Sequence, residues 1–169
     1  SGKMGPVLVD IPRDLLPGAE LDIDLAPPDT YRTGQTRSRG DRDLIDKAAR
    51  VMLAAQRPVI VAGGGVVWSN AGDEVTRMAD LLGAPIVTSY GRADAVPNDH
   101  PHFLGHLGRL GSEEGAEAIR QSDAILAVGT RLGQSTTFFD NRFIPAGVPI
   151  VQIEIDPKEL GRNYPISVG

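Results

Sequence analysis

The sequence predicts an α/β fold: a Rossmann-like, doubly wound parallel sheet with helices on both faces. Three observations carry this expectation. Short apolar runs at residues 59–62, 85–88, 124–128 and 149–154 alternate with stretches of helical apolar spacing, the pattern of a sheet wound by crossover helices. The runs are continuously apolar, without polar alternation, as strands buried on both faces must be. Their ends are punctuated by a chain rich in turn formers, with 20 Gly and 13 Pro in 169 residues, which suits many short strand-to-helix turns.

Taken in order, residues 6–11 (Pro-Val-Leu-Val-Asp-Ile) form a short β-branched run between Gly5-Pro6 and Pro12 and predict a strand. Residues 17–42 are polar, contain Pro27-Pro28, and carry neither helical nor strand period, so they read as a linker. From Asp43 the spacing of Leu44, Ala48 and Met52, with Ile45, Ala49 and Leu53 beside them, predicts an amphipathic helix ending before Arg57-Pro58. After the strand at 59–62 come Gly63, Gly64 and Gly65, then a helix capped near Ser69 or Asn70 with Val75, Met78, Ala79 and Leu82 inward. A strand at 85–88 leads into a long loop, residues 89–111. Ser112 caps the next helix, and Glu113 and Glu114 in its first turn favour the helix dipole. Strands at 124–128 and 149–154 follow, and Asp156-Pro157-Lys158-Glu159 has the cap, first-turn proline and capping-box acid of a short helix start.

Composition narrows the function classes. A net charge of −5 argues against a broad nucleic-acid-binding face. No apolar run approaches the roughly 20 residues that span a bilayer, and no signal-peptide pattern opens the chain; a cytoplasmic location is the default expectation. The absence of cysteine excludes disulfides, thiolate nucleophiles and Cys-based zinc sites.

Ligand chemistry in such a sheet belongs outside the carboxyl ends of the strands. Gly63, Gly64 and Gly65 stand there, either to bring backbone N–H groups close to a phosphate or to make a tight turn of positive φ. Thr88-Ser89-Tyr90 follows another strand. Gly129-Thr130-Arg131 places a guanidinium past a third, either as a phosphate clamp or as a surface charge. Glu154 and Asp156 end the last strand; Glu154 is the better acceptor for ribose hydroxyls, and Asp156 is better explained as a helix cap. His100, His102 and His106 share one loop and have no matching carboxylate pattern, so a metal site is not expected. Nothing pairs Asp94, Asp99, Glu113 or Glu114 with a nucleophile. Trp68, the single tryptophan, follows the glycine turn; a lone aromatic is more often simply packed, and the alternatives are a place at a domain interface or near a ligand.

Seven segments, in order, resemble enzymes of the acetolactate synthase family that use thiamine diphosphate. Residues 5–14 (GPVLVDIPRD) are similar to the end of the family's pyrimidine-binding domain. Residues 57–65 (RPVIVAGGG), 82–88 (LGAPIVT), 98–101 (NDHP), 105–108 (GHLG), 122–131 (SDAILAVGTR) and 153–161 (IEIDPKELG) resemble its middle domain. The resemblance implies residues 1–16 as the end of the preceding domain, 17–42 as linker and 43–169 as the central domain. It implies a parent that decarboxylates 2-keto acids with thiamine diphosphate and magnesium, held by flanking domains across an oligomer interface. It also implies FAD, ADP or no nucleotide in this domain, with contacts at Gly63, Gly64, Gly65, Thr88, Gly129, Arg131, Glu154 and Asp156.

The departures are informative. Flavin-binding relatives follow the matching Arg with Phe-Asp-Asp-Arg, where this chain has Leu132-Gly133-Gln134-Ser135; a Met-His pair is replaced by Arg109-Leu110. Both remove expected flavin contacts, and Arg109 would suit a phosphate. The family's Gly-Asp-Gly metal motif has only a partial counterpart, Gly40-Asp41-Arg42. The expectation is therefore a non-catalytic scaffold or nucleotide domain of a carboligase-type transferase. The alternatives are a domain of a decarboxylase or lyase acting on 2-keto acids or acyl-CoA, and a free-standing nucleotide-binding module. The implied partners are the flanking domains and further copies of the parent chain, with neither nucleic acid nor membrane.

Overall fold

The computed structural model describes residues 3, 5–18, 22–27, 30 and 38–169. The expected linker at 17–42 lies in part outside the described residues. The chain divides into two compact units, Ser1–Arg39 and Gly40–Gly169. In the first, residues 6–11 do not form the expected strand: they have no ladder partner among the described residues, and Val7, Leu8 and Val9 are 88%, 91% and 74% exposed. The β-branched run is there, but a strand needs a neighbour for its N–H and C=O groups. A short 3-10 turn follows at Arg13–Leu15.

The second unit is the α/β domain. Its elements are α1 (Arg42–Ala54), β1 (Pro58–Ala62), α2 (Gly64–Ser69), α3 (Gly72–Leu82), β2 (Ile86–Thr88), β3 (Phe103–His106), α4 (Glu113–Arg120), β4 (Ala124–Val128), α5 (Gln134–Thr137) and β5 (Ile150–Ile153). All five strands are parallel, in the order β3-β2-β1-β4-β5. The chain thus winds outward from β1 in one direction, returns, and winds outward in the other. The reversal lies between β1 and β4, whose register runs from Pro58 opposite Ala124 to Ala62 opposite Val128.

Alternate residues of the same strands feed two cores. Ile60, Ala62, Ala124 and Leu126 pack with Met52, Val66, Val75 and Ala79, beneath α1, α2 and α3. Val59, Val61, Ile125 and Ala127 pack with Ile119 of α4 and with Leu107, Leu132, Ile144 and Ile150 on the other face. This two-sided burial is the physical reason that the strand sequences show no polar alternation.

Several element boundaries differ from expectation. The region 89–111 is not all loop: β3 lies within it, and its residues are only half-buried, as befits an edge strand. Ser69 and Asn70 do not cap α3. Ser69 ends the short helix α2, and Asn70 terminates it at φ 51°, a conformation Asn tolerates better than most residues. Ser112 does cap α4, accepting from the Gly115 N–H at 3.2 Å. Asp41 caps α1, accepting from the N–H groups of Asp43 and Leu44 at 2.9 and 3.1 Å. In α1 the buried stripe is Met52 with Ala48 and Val51 at its edge, whereas Ile45 and Leu53 are 55% and 73% exposed. Met78 in α3 is also exposed rather than inward. Residues 157–161 form turns instead of a helix; Asp156 accepts from the Lys158 N–H at 3.1 Å, which satisfies a turn as well as a helix start.

Asp123 fixes the entry of two adjacent strands. Its carboxylate accepts from the Gln56 and Arg57 N–H groups, both at 2.8 Å, just before β1. These backbone hydrogen bonds hold its carboxyl below the ordinary aspartate range. A depressed pKa contributes stability that is complete at neutral pH and is lost as pH falls through the unfolded and then the folded pKa. Acid unfolding of Asp123→Asn is therefore expected to have a shallower pH dependence below about pH 4 than the parent chain, measured as unfolding midpoints across a pH series. In the core, Ile125→Ala should cost about 2–5 kcal/mol in urea unfolding, because Ile125 is fully enclosed.

Candidate functional site

The carboxyl rim of the sheet carries, in strand order, His106, Thr88, the glycine turn at 63–65, Gly129-Thr130-Arg131, and Glu154 with Asp156. All eight residues singled out as nucleotide contacts thus lie on one edge, spread over four adjacent strands.

The glycines do two different things. The Gly63 N–H donates to the Val128 carbonyl and the Gly65 N–H to the Gly129 carbonyl, both at 2.9 Å. These two donors are spent within the protein and do not form an open phosphate cradle. What Gly63 and Gly65 provide is room. A Cβ on Gly65 would stand 2.6 Å from the Gly129 Cα, and one on Gly63 would stand 2.5 Å from the Gly129 carbonyl oxygen. Gly129 itself has φ 59°, and a Cβ there would meet the Gly65 Cα at 2.5 Å. The turns that end β1 and β4 therefore touch backbone to backbone at the point where the winding reverses.

Gly64 differs. The atoms nearest to where its Cβ would stand belong to Arg92, with Nε at 3.2 Å. Arg92 comes from the loop after β2, is paired loosely with Asp94 at 3.5 Å, and remains 37% exposed. It is a rim residue that the sequence does not mark, because a single Arg in a long loop has no pattern. Its proximity to Gly64 appears only when β1 and β2 are side by side.

Polar side chains lock the rim beneath. Ser89 and Thr130 are buried and hydrogen-bonded to each other at 2.7 Å, joining the ends of β2 and β4 across β1. Thr88 is fully buried, and its hydroxyl has no partner among the described residues; its carbonyl accepts from the Leu107 N–H at 2.8 Å. Gln152 of β5 donates to the Thr130 and Glu159 carbonyls and accepts from the Gly161 N–H at 2.9 Å. Glu154 accepts from the N–H groups of Ile155 and Asp156, at 2.9 and 3.4 Å. Arg131 lies 3.7 Å from Glu159, a carboxylate whose side chain is only 7% exposed. Gln152, buried within β5, escapes a reading of apolar spacing, and Glu159, expected as a capping-box acid, is buried and ion-paired instead.

The histidines separate. His106 is at the carboxyl end of β3, its ring 6.4 Å from that of Tyr90. Together with Gly91, Ala93 and Asp94 these two line a shallow cavity of about 410 Å³. His100 and His102 lie before β3, at the opposite end of the sheet, each facing Asp80 at 3.5 and 3.7 Å. Among the described residues no group of three or more His, Cys, Asp or Glu side chains is placed to hold a metal ion. Asp41, in the one string resembling the family's metal motif, is occupied as the α1 cap. Arg109 is exposed and anchored by its N–H to the Ser135 carbonyl at 3.3 Å.

The division of labour between glycines is testable. Gly65→Ala drives a methyl into backbone and is expected to destabilise by about 1–3 kcal/mol. Gly64→Ala meets only the flexible stem of Arg92, and its cost should stay within about 0.5 kcal/mol. Urea unfolding of the two variants checks the difference.

Comparison with known proteins identifies the family. The family described as thiamine pyrophosphate enzyme, central domain, matches residues 45–169. The chain is 38% identical over 170 residues to a sulfoacetaldehyde acetyltransferase of Castellaniella defragrans, covering 99% of this chain and 27% of that protein. It is 35% identical over 166 residues to a probable acetolactate synthase large subunit of Methanocaldococcus jannaschii, covering 96% of this chain and 28% of that one. An acetolactate synthase large subunit of Buchnera aphidicola is 31% identical over 169 residues, with 99% of this chain and 29% of that protein covered. The chain spans little more than a quarter of the length of these relatives. On the family match and these identities together, the chain belongs to the central-domain family of thiamine pyrophosphate enzymes.

Proposed function

We propose that this chain serves as the nucleotide-holding or structural centre of a thiamine-diphosphate-dependent transferase, and that it does no chemistry alone. The observation that carries the reading is the β1–β4 junction, where two backbone turns close on each other and cationic side chains, Arg92 and Arg131, flank the rim. Open α/β sheets take ligands at such a reversal. The parent is a cytoplasmic oligomer acting on a 2-keto acid or on an aldehyde related to the named substrates of its relatives. Thiamine diphosphate supplies carbanion chemistry there, bound with magnesium by the flanking domains. Residues 1–16 are the end of the domain that precedes this one: their exposed Val7, Leu8 and Val9 suit a strand completing a neighbouring sheet.

Within this domain the ligand is ADP or FAD. ADP is favoured over FAD by Leu132-Gly133-Gln134-Ser135, which brings no aromatic or acidic contact, and by the exposed Arg109. Residues Gly64, Arg92, Arg131, Glu154 and Asp156 would hold it, with Gly63, Gly65 and Gly129 setting the closeness of approach and Thr88 the floor.

Titration of the chain with ADP and with FAD, read by calorimetry and by visible absorption, tests this. Saturable binding of one of them, weakened at least about tenfold in Arg92→Ala, is the expected result; no binding of either leaves a purely structural domain. The chain supplied with pyruvate, thiamine diphosphate and magnesium should release no carbon dioxide, and measurable turnover would refute the non-catalytic assignment.

A further inference from the structure

Helix α1 buries one stripe and exposes a second beside it. Met52, with Ala48 and Val51 at its edge, packs down onto the sheet over β4 and β5. One step around the helix, Ile45, Ala49 and Leu53 recur every four residues and so form a line along it. All three are exposed, Ile45 by 55% and Leu53 by 73%. A single exposed apolar residue is ordinary on a protein surface, but three in line on one helix make a seam that a partner can cover.

The order of sizes restricts that partner. A large, a small and a large residue stand at equal spacing about Ala49, so the seam reads the same in both directions. A second α1 laid antiparallel on it, with the two-fold axis at Ala49, sets Ile45 opposite the partner's Leu53 and Leu53 opposite the partner's Ile45. The small side chain at the centre lets the two helix axes approach to roughly 8–10 Å.

Charge selects the same arrangement. Asp46 and Arg50 follow the seam along one flank, about one turn apart. Both are exposed, and neither side chain is ion-paired or hydrogen-bonded among the described residues. A two-fold axis between antiparallel helices brings the same flanks together. Asp46 then stands within about 3 Å, measured along the helix, of the level of the partner's Arg50. Arg50 is related in the same way to the partner's Asp46, so both unpaired charges find opposite charges at once.

We infer that α1 is a self-association face whose occupant is α1 of a second copy of this chain, antiparallel across a two-fold axis at Ala49. The contact uses no residue of the carboxyl rim and is independent of the nucleotide reading.

Sedimentation equilibrium of the full chain at low ionic strength tests it. The average mass is expected to rise with concentration from that of one chain, 17.9 kDa, toward that of two. Asp46→Arg and Arg50→Asp, each alone, set like charges against each other on both sides of the axis and should weaken association at least about tenfold. An equimolar mixture of the two variants restores opposite charges and should recover association as a mixed pair. Mixing cannot rescue a change that acts only on folding, and circular dichroism matching the parent chain would show that both variants fold. Leu53→Ser should weaken the pair with its charges intact. A chain that stays monomeric at every concentration would overturn the inference, and so would association that neither charge variant weakens. Weakening in both variants without recovery on mixing would overturn the antiparallel pairing.

Discussion

The close approach of Gly65 to Gly129 is the constraint on which the rest of the domain depends. Strands β1 and β4 are neighbours whose connections leave in opposite directions, so their exit turns must share one small space. Any side chain at either position would push the turns apart, since its Cβ would fall 2.5–2.6 Å from backbone atoms of the other turn. With the turns in contact, the ladder from Pro58–Ala124 to Ala62–Val128 runs to its end, and the N–H groups of Gly63 and Gly65 are satisfied by Val128 and Gly129. Everything above the junction is then fixed in position: Arg92 over Gly64, Ser89 bonded to Thr130, and Arg131 turned toward Glu159.

On the proposed function, this arrangement would separate stability from binding. The glycine-rich strand end resembles a phosphate loop in composition, but two of its three N–H groups are consumed by contacts with the end of β4. On the function proposed above, an anion would instead be received by the guanidiniums of Arg92 and Arg131, from the loop after β2 and the end of β4. An arginine site of this kind tolerates change in the ligand's apolar part, because its energy comes from charge and forked hydrogen bonds. A family in which the central domain serves parents of different chemistry suits such a division.

Much of this is legible in the residues. The doubly buried strands declare themselves by unbroken apolar runs at 59–62 and 124–128, and Ser112 with Glu113 and Glu114 declares α4. The rim residues follow once the strand ends are known. What stays hidden has physical reasons. The edge strand β3 contains Gly105 and His106 and buries its residues only halfway, so its pattern is weak. Ser69 and Asn70 look like caps, yet an αL Asn can end a helix as readily as a polar residue begins one. Asp156-Pro157 has helix-start chemistry, but the chain turns after one set of bonds. Arg92 and Gln152 owe their importance to neighbours brought close by the fold, which no local spacing records.

The most direct measurement is residue-resolved amide exchange and chemical-shift mapping by NMR, with and without ADP. Slow exchange is expected at the Gly65 and Gly129 N–H groups in the free chain, with ADP-induced shifts confined to the carboxyl rim around residues 63–65, 129–131 and 154–162. Rapid exchange at Gly65 and Gly129, or shifts centred on His100 and His102 at the opposite end of the sheet, would contradict a rim built on the glycine contact.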